Sequence, residues 1–310
     1  MKANSIGIIG MGWVGASVAI SILQKGLCRH LLINDVKKEI AEGEAMDLNH
    51  GSSFFPTCEV NACEIEEMLD CRAIVITAGR GGKPGESRLD LLNDNVNIAR
   101  HISGKLKGFK GLLIIVANPV DVLTYYYQKF TGLPSGRVIG TGTMLDTARL
   151  RDIIGRKVHV DPNSIHASVI GEHGDSEVII WSNARVGGLT LERLNGWDKK
   201  NEETIYHEVR TAAYEIIQRK GATNHAIGLV TATLLKWLLR GERRITNISS
   251  TLNGEYGLKE VALSVPTLIC EEGVEKIVEV DMSSEEKEQF NNSAQILKAA
   301  IQDINKSLKV

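Results

Sequence analysis

The sequence predicts an α/β chain: a doubly wound parallel sheet in the first half, then an α+β unit with antiparallel strands. Three observations predict it. The stretch Ser5-Ile-Gly-Ile-Ile-Gly-Met-Gly-Trp-Val-Gly15 joins a short apolar run of β type to a glycine turn and a helix. Short apolar runs then alternate with helical periods as far as Gly140, the pattern of parallel strands joined by right-handed crossovers. Beyond Thr141 the alternation stops, and long helices are followed by successive strands with no helix between them.

Gly10, Gly12 and Gly15 have the spacing G-x-G-x-x-G. Gly10 turns the backbone sharply out of the strand, Gly12 leaves room for a pyrophosphate, and Gly15 lets the helix pack on the strand. The helix start, with Trp13 and Val14, offers free N–H groups and partial positive charge to phosphates. Asp35 follows Gly15 by twenty residues and ends the run Leu31-Leu-Ile-Asn-Asp35. Its carboxylate suits a ribose diol and repels a 2′-phosphate, so the cofactor expected is NAD. A lone glycine motif is weak. Strand before, helix after and acid at the right distance together make a Rossmann-type fingerprint. A secretory leader is the competing reading of this segment, and its glycines suit such a helix poorly.

The following elements are read in order. Residues 36–49 have helical spacing, 59–61 form a weak strand and 65–69 a short helix. Ala73-Ile-Val-Ile-Thr77 is a buried strand ending in Ala78-Gly79 and a glycine-rich loop, and 89–106 is a long helix. Leu112-Leu-Ile-Ile-Val-Ala117 is a buried strand stopped by Asn118-Pro119, with a helix over 121–130 and a strand over 137–140. Ligands of such sheets sit at the carboxyl ends of the strands, so Thr77, Ala78, Gly79 and Asn118 join the cofactor-binding set. In the second half, 144–154 is a helix, 165–170 a single strand, and 177–181 and 185–186 short strands. Helices span 204–220 and 225–240, and strands span 245–252, 262–269 and 273–280. Ser284 opens the last helix, where a capping box with position 287 is spoiled by lysine. The expected domains are 1–141, binding NAD, and 142–310, carrying substrate and chemistry.

Bulk properties bound the function. A chain of 310 residues has room for two domains, and 43% hydrophobic with 24% charged residues is an ordinary soluble balance. A net charge of -2 provides no basic field for nucleic acid or an anionic membrane. No apolar run approaches the roughly 18 residues of a membrane span. Five cysteines without a C-x-x-C pattern fit free thiols in a reducing cytoplasm rather than zinc or disulfides. No metal is expected.

Asp146 and Arg149 lie three apart and share a helix face. Arg149 can clamp a carboxylate with two parallel N–H bonds, and Asp146 can orient a histidine and favour its protonated form. The histidine is His173, between Gly171 and Gly174, where small neighbours leave space for a substrate. Arg88 ends the loop after Gly79 and could swing in with a closing lid. By spacing alone, each feature also fits a structural salt bridge, a structural histidine or a surface arginine.

The motifs Gly10-Met-Gly-Trp-Val-Gly15, Thr77-Ala-Gly79, Lys83-Pro-Gly-Glu-Ser-Arg-Leu-Asp-Leu-Leu92, Ala117-Asn-Pro-Val-Asp121, Gly140-Thr-Gly-Thr-Met-Leu-Asp-Thr-Ala-Arg149 and Ile170-Gly-Glu-His-Gly-Asp-Ser176 resemble the L-lactate dehydrogenases. The last three are specific to the lactate/malate dehydrogenase superfamily when found together. The resemblance runs from Ile6 to the C-terminal helix. It implies that His173 is the proton donor and acceptor, Asp146 its partner, Arg149 the carboxylate anchor and Arg88 the group that polarises the carbonyl. It also implies that Asn118 contacts nicotinamide and substrate oxygen, that Thr223 lines the pocket, and that the protein is a homotetramer.

The sequence departs from the pattern at Gly82. Lactate dehydrogenases usually have glutamine there and malate dehydrogenases arginine. Gly82 offers no side chain to the substrate, which disfavours oxaloacetate unless Arg80 or Lys83 reaches in. It points toward the broader 2-oxo acid range of L-2-hydroxyisocaproate dehydrogenases. His225 stands where an aromatic is common. Arg151 and His166 match positions of bacterial lactate dehydrogenases activated by fructose 1,6-bisphosphate, so an effector site is expected there. Two other classes compete: an NAD-dependent glycosidase, which needs a metal site that a lone Cys270 does not supply, and a silent NAD-binding sensor.

Overall fold

The computed structural model of the chain describes residues 4–82, 87–194 and 197–308. The first half supplies strands β1 (Ser5–Ile9), β2 (His30–Asn34), β3 (Glu59–Ala62), β4 (Ala73–Ile76), β5 (Leu112–Ile115) and β6 (Val138–Gly140). Its helices are α1 (Trp13–Lys25), α2 (Lys38–His50), α3 (Arg88–Lys105) and α4 (Val120–Thr131). These six strands are parallel, in the order β3-β2-β1-β4-β5-β6. The order reverses between β1 and β4, which opens a crevice at their carboxyl ends for a dinucleotide.

Every residue of β1, β4 and β5 is buried, because helices cover both faces of a parallel sheet. Alternate side chains part accordingly. Ile74, Ile76, Leu113 and Ile115 enter one core with Val96 and Tyr126, and Val75 and Ile114 enter the other with Val18 and Leu235.

The second half supplies α5 (Met144–Val158), α6 (Asn201–Lys220), α7 (His225–Leu239) and α8 (Ser284–Leu308), with the long strands β12 (Arg244–Asn253), β13 (Lys259–Cys270) and β14 (Gly273–Ile277). β12 pairs antiparallel with β6 through Ser249 and Gly140, so the parallel sheet continues into β13 and β14 and reaches nine strands. α7 lies against α1, and the approach is close because a Cβ on Gly228 would come within 2.5 Å of the Ser17 carbonyl oxygen. α8 packs on β13, α3 and α4, where Tyr126 donates its hydroxyl to the Ile301 carbonyl at 3.1 Å. Among the described residues no helix is long and apolar enough to cross a membrane. None of the five cysteines forms a disulfide.

Two local expectations are corrected. The single strand expected over 165–170 is two short ones, β7 (Ile165–His166) and β8 (Val169–Ile170), in different sheets. β7 pairs with β10 (Arg185–Val186), which also pairs with β11 (Leu189–Thr190), and β8 pairs with β9 (Val178–Ile179). The break is made by side chains of α5: Arg151 donates to the Ala167 carbonyl at 3.0 Å, and the Val169 N–H donates to the Thr147 hydroxyl at 3.1 Å. The last helix has a working capping box one residue earlier than expected. The Ser283 N–H donates to Glu286 at 2.8 Å, and the Glu286 N–H donates to the Ser283 hydroxyl at 3.2 Å.

Candidate active site

The glycine turn sits at the switch point. Gly10 has φ +100°, and a Cβ there would lie 2.6 Å from the Ala78 amide nitrogen. A Cβ on Gly15 would fall on the Gly10 carbonyl oxygen. Above Gly12 a Cβ would meet nothing within 4 Å, so the helix start faces open space. The amides of Trp13, Val14 and Gly15 open α1, where no intrahelical acceptor exists for them. This arrangement fits a pyrophosphate without further rearrangement.

Asp35 holds the turn. Its Oδ2 accepts the Met11 N–H at 2.8 Å and its Oδ1 accepts the Lys37 N–H at 2.9 Å. A carboxylate has about four lone-pair sites, so ribose hydroxyls can still be accepted. A cleft of about 150 Å³ beside it is lined by Asn34, Lys38, Ala41 and Ala62. Thr77 ties β4 to the turn by donating to the Gly10 carbonyl at 2.6 Å.

Asn95 of α3 was invisible to motif reading, yet it organises the loops here. It is 2% exposed; its Oδ1 accepts the Arg80 N–H at 2.8 Å, and its Nδ2 donates to the carbonyls of Arg80 at 3.1 Å and Asn118 at 3.4 Å. One amide thereby joins the segments after β4 and β5, next to Gly79. Gly82 is exposed, with Leu91 the nearest neighbour to a built Cβ at 3.4 Å. Arg80 pairs with Asp94 at 2.7 Å. Lys83 lies outside the described residues. Arg88 begins α3, and its side chain also lies outside them.

The structure brings His173, Asp146 and Arg149 together from two segments. His173 Nδ1 is 2.6 Å from Asp146 Oδ2, and Arg149 Nη1 donates to Asp146 Oδ1 at 2.6 Å. Asp146 is 2% exposed, whereas a quarter of the His173 side chain reaches solvent. The loop carrying His173 is pinned to the first half of the chain by Asp121, whose Oδ2 accepts the His173 amide at 2.7 Å. Asp121 lies three residues past Asn118, so this bond holds the imidazole beside the carboxyl end of β5. Asp121 was given no role from sequence, where it ends the motif Ala117-Asn-Pro-Val-Asp121 and opens a helix. The loop is also fixed through Gly171, whose N–H donates to the Ser264 carbonyl at 2.8 Å.

Electrostatics follow from burial and pairing. Burial alone would push His173 down, but the charge and hydrogen bond of Asp146 outweigh it and raise the imidazole from 6.5 to about 9. Burial would likewise raise Asp146, and His173 and Arg149 together hold it below the ordinary carboxylate range. Burial pushes Asp121 up to about 6. The cluster is therefore an imidazolium backed by a carboxylate, with a guanidinium alongside that retains most of its donors. It can donate a proton to an oxygen and clamp a second, anionic group nearby.

The remaining expected residues lie around this core. Thr223 is half-buried in the loop between α6 and α7, which Asn224 ties to α1 by donating to the Ser17 hydroxyl at 2.8 Å. The Trp13 ring approaches the same loop, 4.0 Å from a built Cβ on Gly221. Arg151 and His166 are brought near one another, since Arg151 bonds the carbonyl of Ala167 and the exposed His166 stands opposite Arg185.

Residues 4–140 match the NAD binding domain profile of lactate/malate dehydrogenase, and residues 143–308 match the alpha/beta C-terminal domain profile of the same family. The chain is 44% identical to an L-lactate dehydrogenase of Fervidobacterium nodosum over 98% of its length and 99% of that protein. It is 42% identical to one of Macrococcus caseolyticus, covering 96% of each. The crystal structure of a lactate dehydrogenase from a Medee basin deep-sea metagenome library superposes with a TM-score of 0.95 at 40% identity, covering 98% of this chain and 100% of that one. The minor L-lactate dehydrogenase of Enterococcus mundtii gives a TM-score of 0.94 at 39% identity, covering 97% and 98%.

Proposed function

The chain belongs to the lactate/malate dehydrogenase family, and from that premise we propose how its residues carry out the reaction of an NAD-dependent L-lactate dehydrogenase. The protein is an NAD-dependent oxidoreductase acting on 2-oxo and 2-hydroxy acids. The bond from the His173 amide to Asp121 carries the reading of the site, because it sets a proton donor at the strand ends where the nicotinamide would lie.

NADH, when bound, would supply a hydride to C2 of pyruvate. His173 donates its Nε2 proton to the carbonyl oxygen and takes it back from the hydroxyl in the reverse direction. Asp146 holds the Nδ1 proton, so the opposite nitrogen is the one presented to substrate. Arg149 binds the substrate carboxylate with the N–H groups not used by Asp146. Arg88 polarises the carbonyl, and Asn118 and Thr223 border the substrate. Gly10, Gly12, Trp13, Val14, Gly15, Asp35, Thr77, Ala78 and Gly79 hold the cofactor. NADH oxidation against a panel of 2-oxo acids tests the proposal, and no turnover of any of them would remove it.

Gly82 favours a broadened range that includes branched 2-oxo acids, since the wall residue of the pocket has no side chain. A pyruvate preference of about a thousandfold or more over 2-oxoisocaproate in kcat/KM, roughly 4 kcal/mol, would end that extension. Arg151, His166 and Arg185 support an anion site for fructose 1,6-bisphosphate in a homotetramer working in the cytoplasm. A flat activity response to the bisphosphate would remove the effector, and light scattering after size exclusion reads the assembly.

A further inference from the structure

One buried ionisable group of the catalytic loop has no task in this chemistry. Glu177 stands four residues past His173, is 4% exposed, and its Oε1 is buried without a hydrogen-bond partner. Its backbone is fixed on both sides. The Glu177 N–H donates to the Gly174 carbonyl at 3.2 Å, and the Tyr206 hydroxyl donates to the Glu177 carbonyl at 3.3 Å. A carboxylate with an unserved oxygen away from water is costly, so the group must be protonated or balanced by cations.

Its charged neighbours come from three elements. Asp146 and Arg149 face it from α5, His173 from its own loop and Arg210 from α6. The Arg210 guanidinium is 5.5 Å from the centre of the Tyr206 ring, so Tyr206 connects Glu177 and Arg210. Glu177 also borders a cleft of about 760 Å³ between the loop, α6 and α8, which Glu202 and Glu286 line from those helices and Lys199 from the segment before α6.

We propose that Glu177 is a positioning residue: a buried carboxyl that gains or loses a proton beside His173 and so sets the pH range in which the imidazolium is available, without touching substrate. This rests on the proton-donor role proposed for His173. Burial pushes Glu177 up to about 8, close below His173 at about 9. Groups this close titrate as a pair. Near neutrality Glu177 is an uncharged acid. As pH rises it ionises first, and the new anion holds the proton on His173 for longer, so the alkaline loss of pyruvate reduction is delayed and spread over two protons.

The test is Glu177→Gln, read in two ways. One is the pH profile of kcat/KM for pyruvate. The other is the rate at which diethyl pyrocarbonate modifies the peptide carrying His173, which reads free imidazole without turnover. Below about pH 7 the variant should match the parent, because both have a neutral group at 177. Its alkaline limb should move down by about half to one pH unit and become a single-proton limb, so kcat/KM near pH 9 falls about three- to tenfold. The modification midpoint should move with it. Glu177→Asp should keep the two-proton limb. Arg210→Gln, which leaves Glu177 neutral to higher pH, should move the limb the same way by less. A folded Glu177→Gln protein whose two profiles superimpose on the parent's would overturn the proposal, as would a loss equal at every pH with the midpoint unmoved. Should that variant fail to fold, an unchanged midpoint in Arg210→Gln decides against it. Absence of any 2-oxo acid turnover would remove the catalytic reading alone, because the modification midpoint still reports the coupling.

Discussion

Replacing Asp146 with asparagine removes one charge and changes little volume, so its cost can be worked out from two contacts. The first is the 2.6 Å bond to His173 Nδ1. Asp146 is what raises the imidazole to about 9 against burial. Without it, a return to the ordinary 6.5 is worth roughly 3 kcal/mol, and at about pH 7.5 the imidazolium falls to about a tenth of the molecules. The second contact is the 2.6 Å bond from Arg149. A charge-assisted bond contributes about 1.5–3 kcal/mol, part of which goes to holding the guanidinium where the substrate carboxylate must meet it. The two effects together should lower kcat/KM for pyruvate by roughly 10²–10³ at about pH 7.5. The assay is NADH absorbance across about pH 5.5–9.5. The loss should be smallest at the acid end, where even an unassisted imidazole is protonated, and the alkaline limb should move down by about two and a half pH units. A loss of the same size at both ends, with the limb unmoved, would refute the assignment of Asp146 as the partner that keeps His173 charged.

Other perturbations read other parts of the molecule. Gly15→Ala places a methyl group on the Gly10 carbonyl and should abolish NADH binding by fluorescence titration while lowering the melting temperature. Asp35→Ala removes the acceptor of the Met11 N–H as well as the ribose acceptor, so KM for NADH should rise by about ten- to a hundredfold, with roughly 1–2 kcal/mol lost on urea unfolding. Gly82→Gln should narrow the pocket, lowering kcat/KM for 2-oxoisocaproate at least about tenfold relative to pyruvate; an unchanged ratio would mean that position 82 does not face the substrate.

Much of the cofactor half was legible in the chain because its signals are local. A glycine is favoured where φ is positive and needed where a Cβ has no room, and both conditions hold at Gly10 within one turn. β4 and β5 read as unbroken apolar runs because they are covered on both faces. Asp146 and Arg149 share a helix face by periodicity alone, so their pairing needed only the helix. The capping residue of α8 was misplaced by one position, since Ser283 and Ser284 are equivalent until the chain before them has a direction. The split of 165–170 was also hidden, because the groups that interrupt the strand come from α5, 16 and 22 residues before the groups they bond.

Sequence by itself determined the glycine turn, the alternation of buried parallel strands with helices and the residue types of the candidate site, since these depend on backbone freedom, hydropathy period and short spacing. Only the tertiary structure decided that Asn95 joins two loops, that Asp121 carries the His173 amide, that Asp35 also holds the Met11 amide, and that Glu177 is buried facing the charged cluster. Each is an ordinary polar residue made specific by a partner 15 to 52 positions away, or by enclosure among several elements. Hydrogen bonds and desolvation act through space, and a linear chain shows no distance until the sheet has closed around its crossovers.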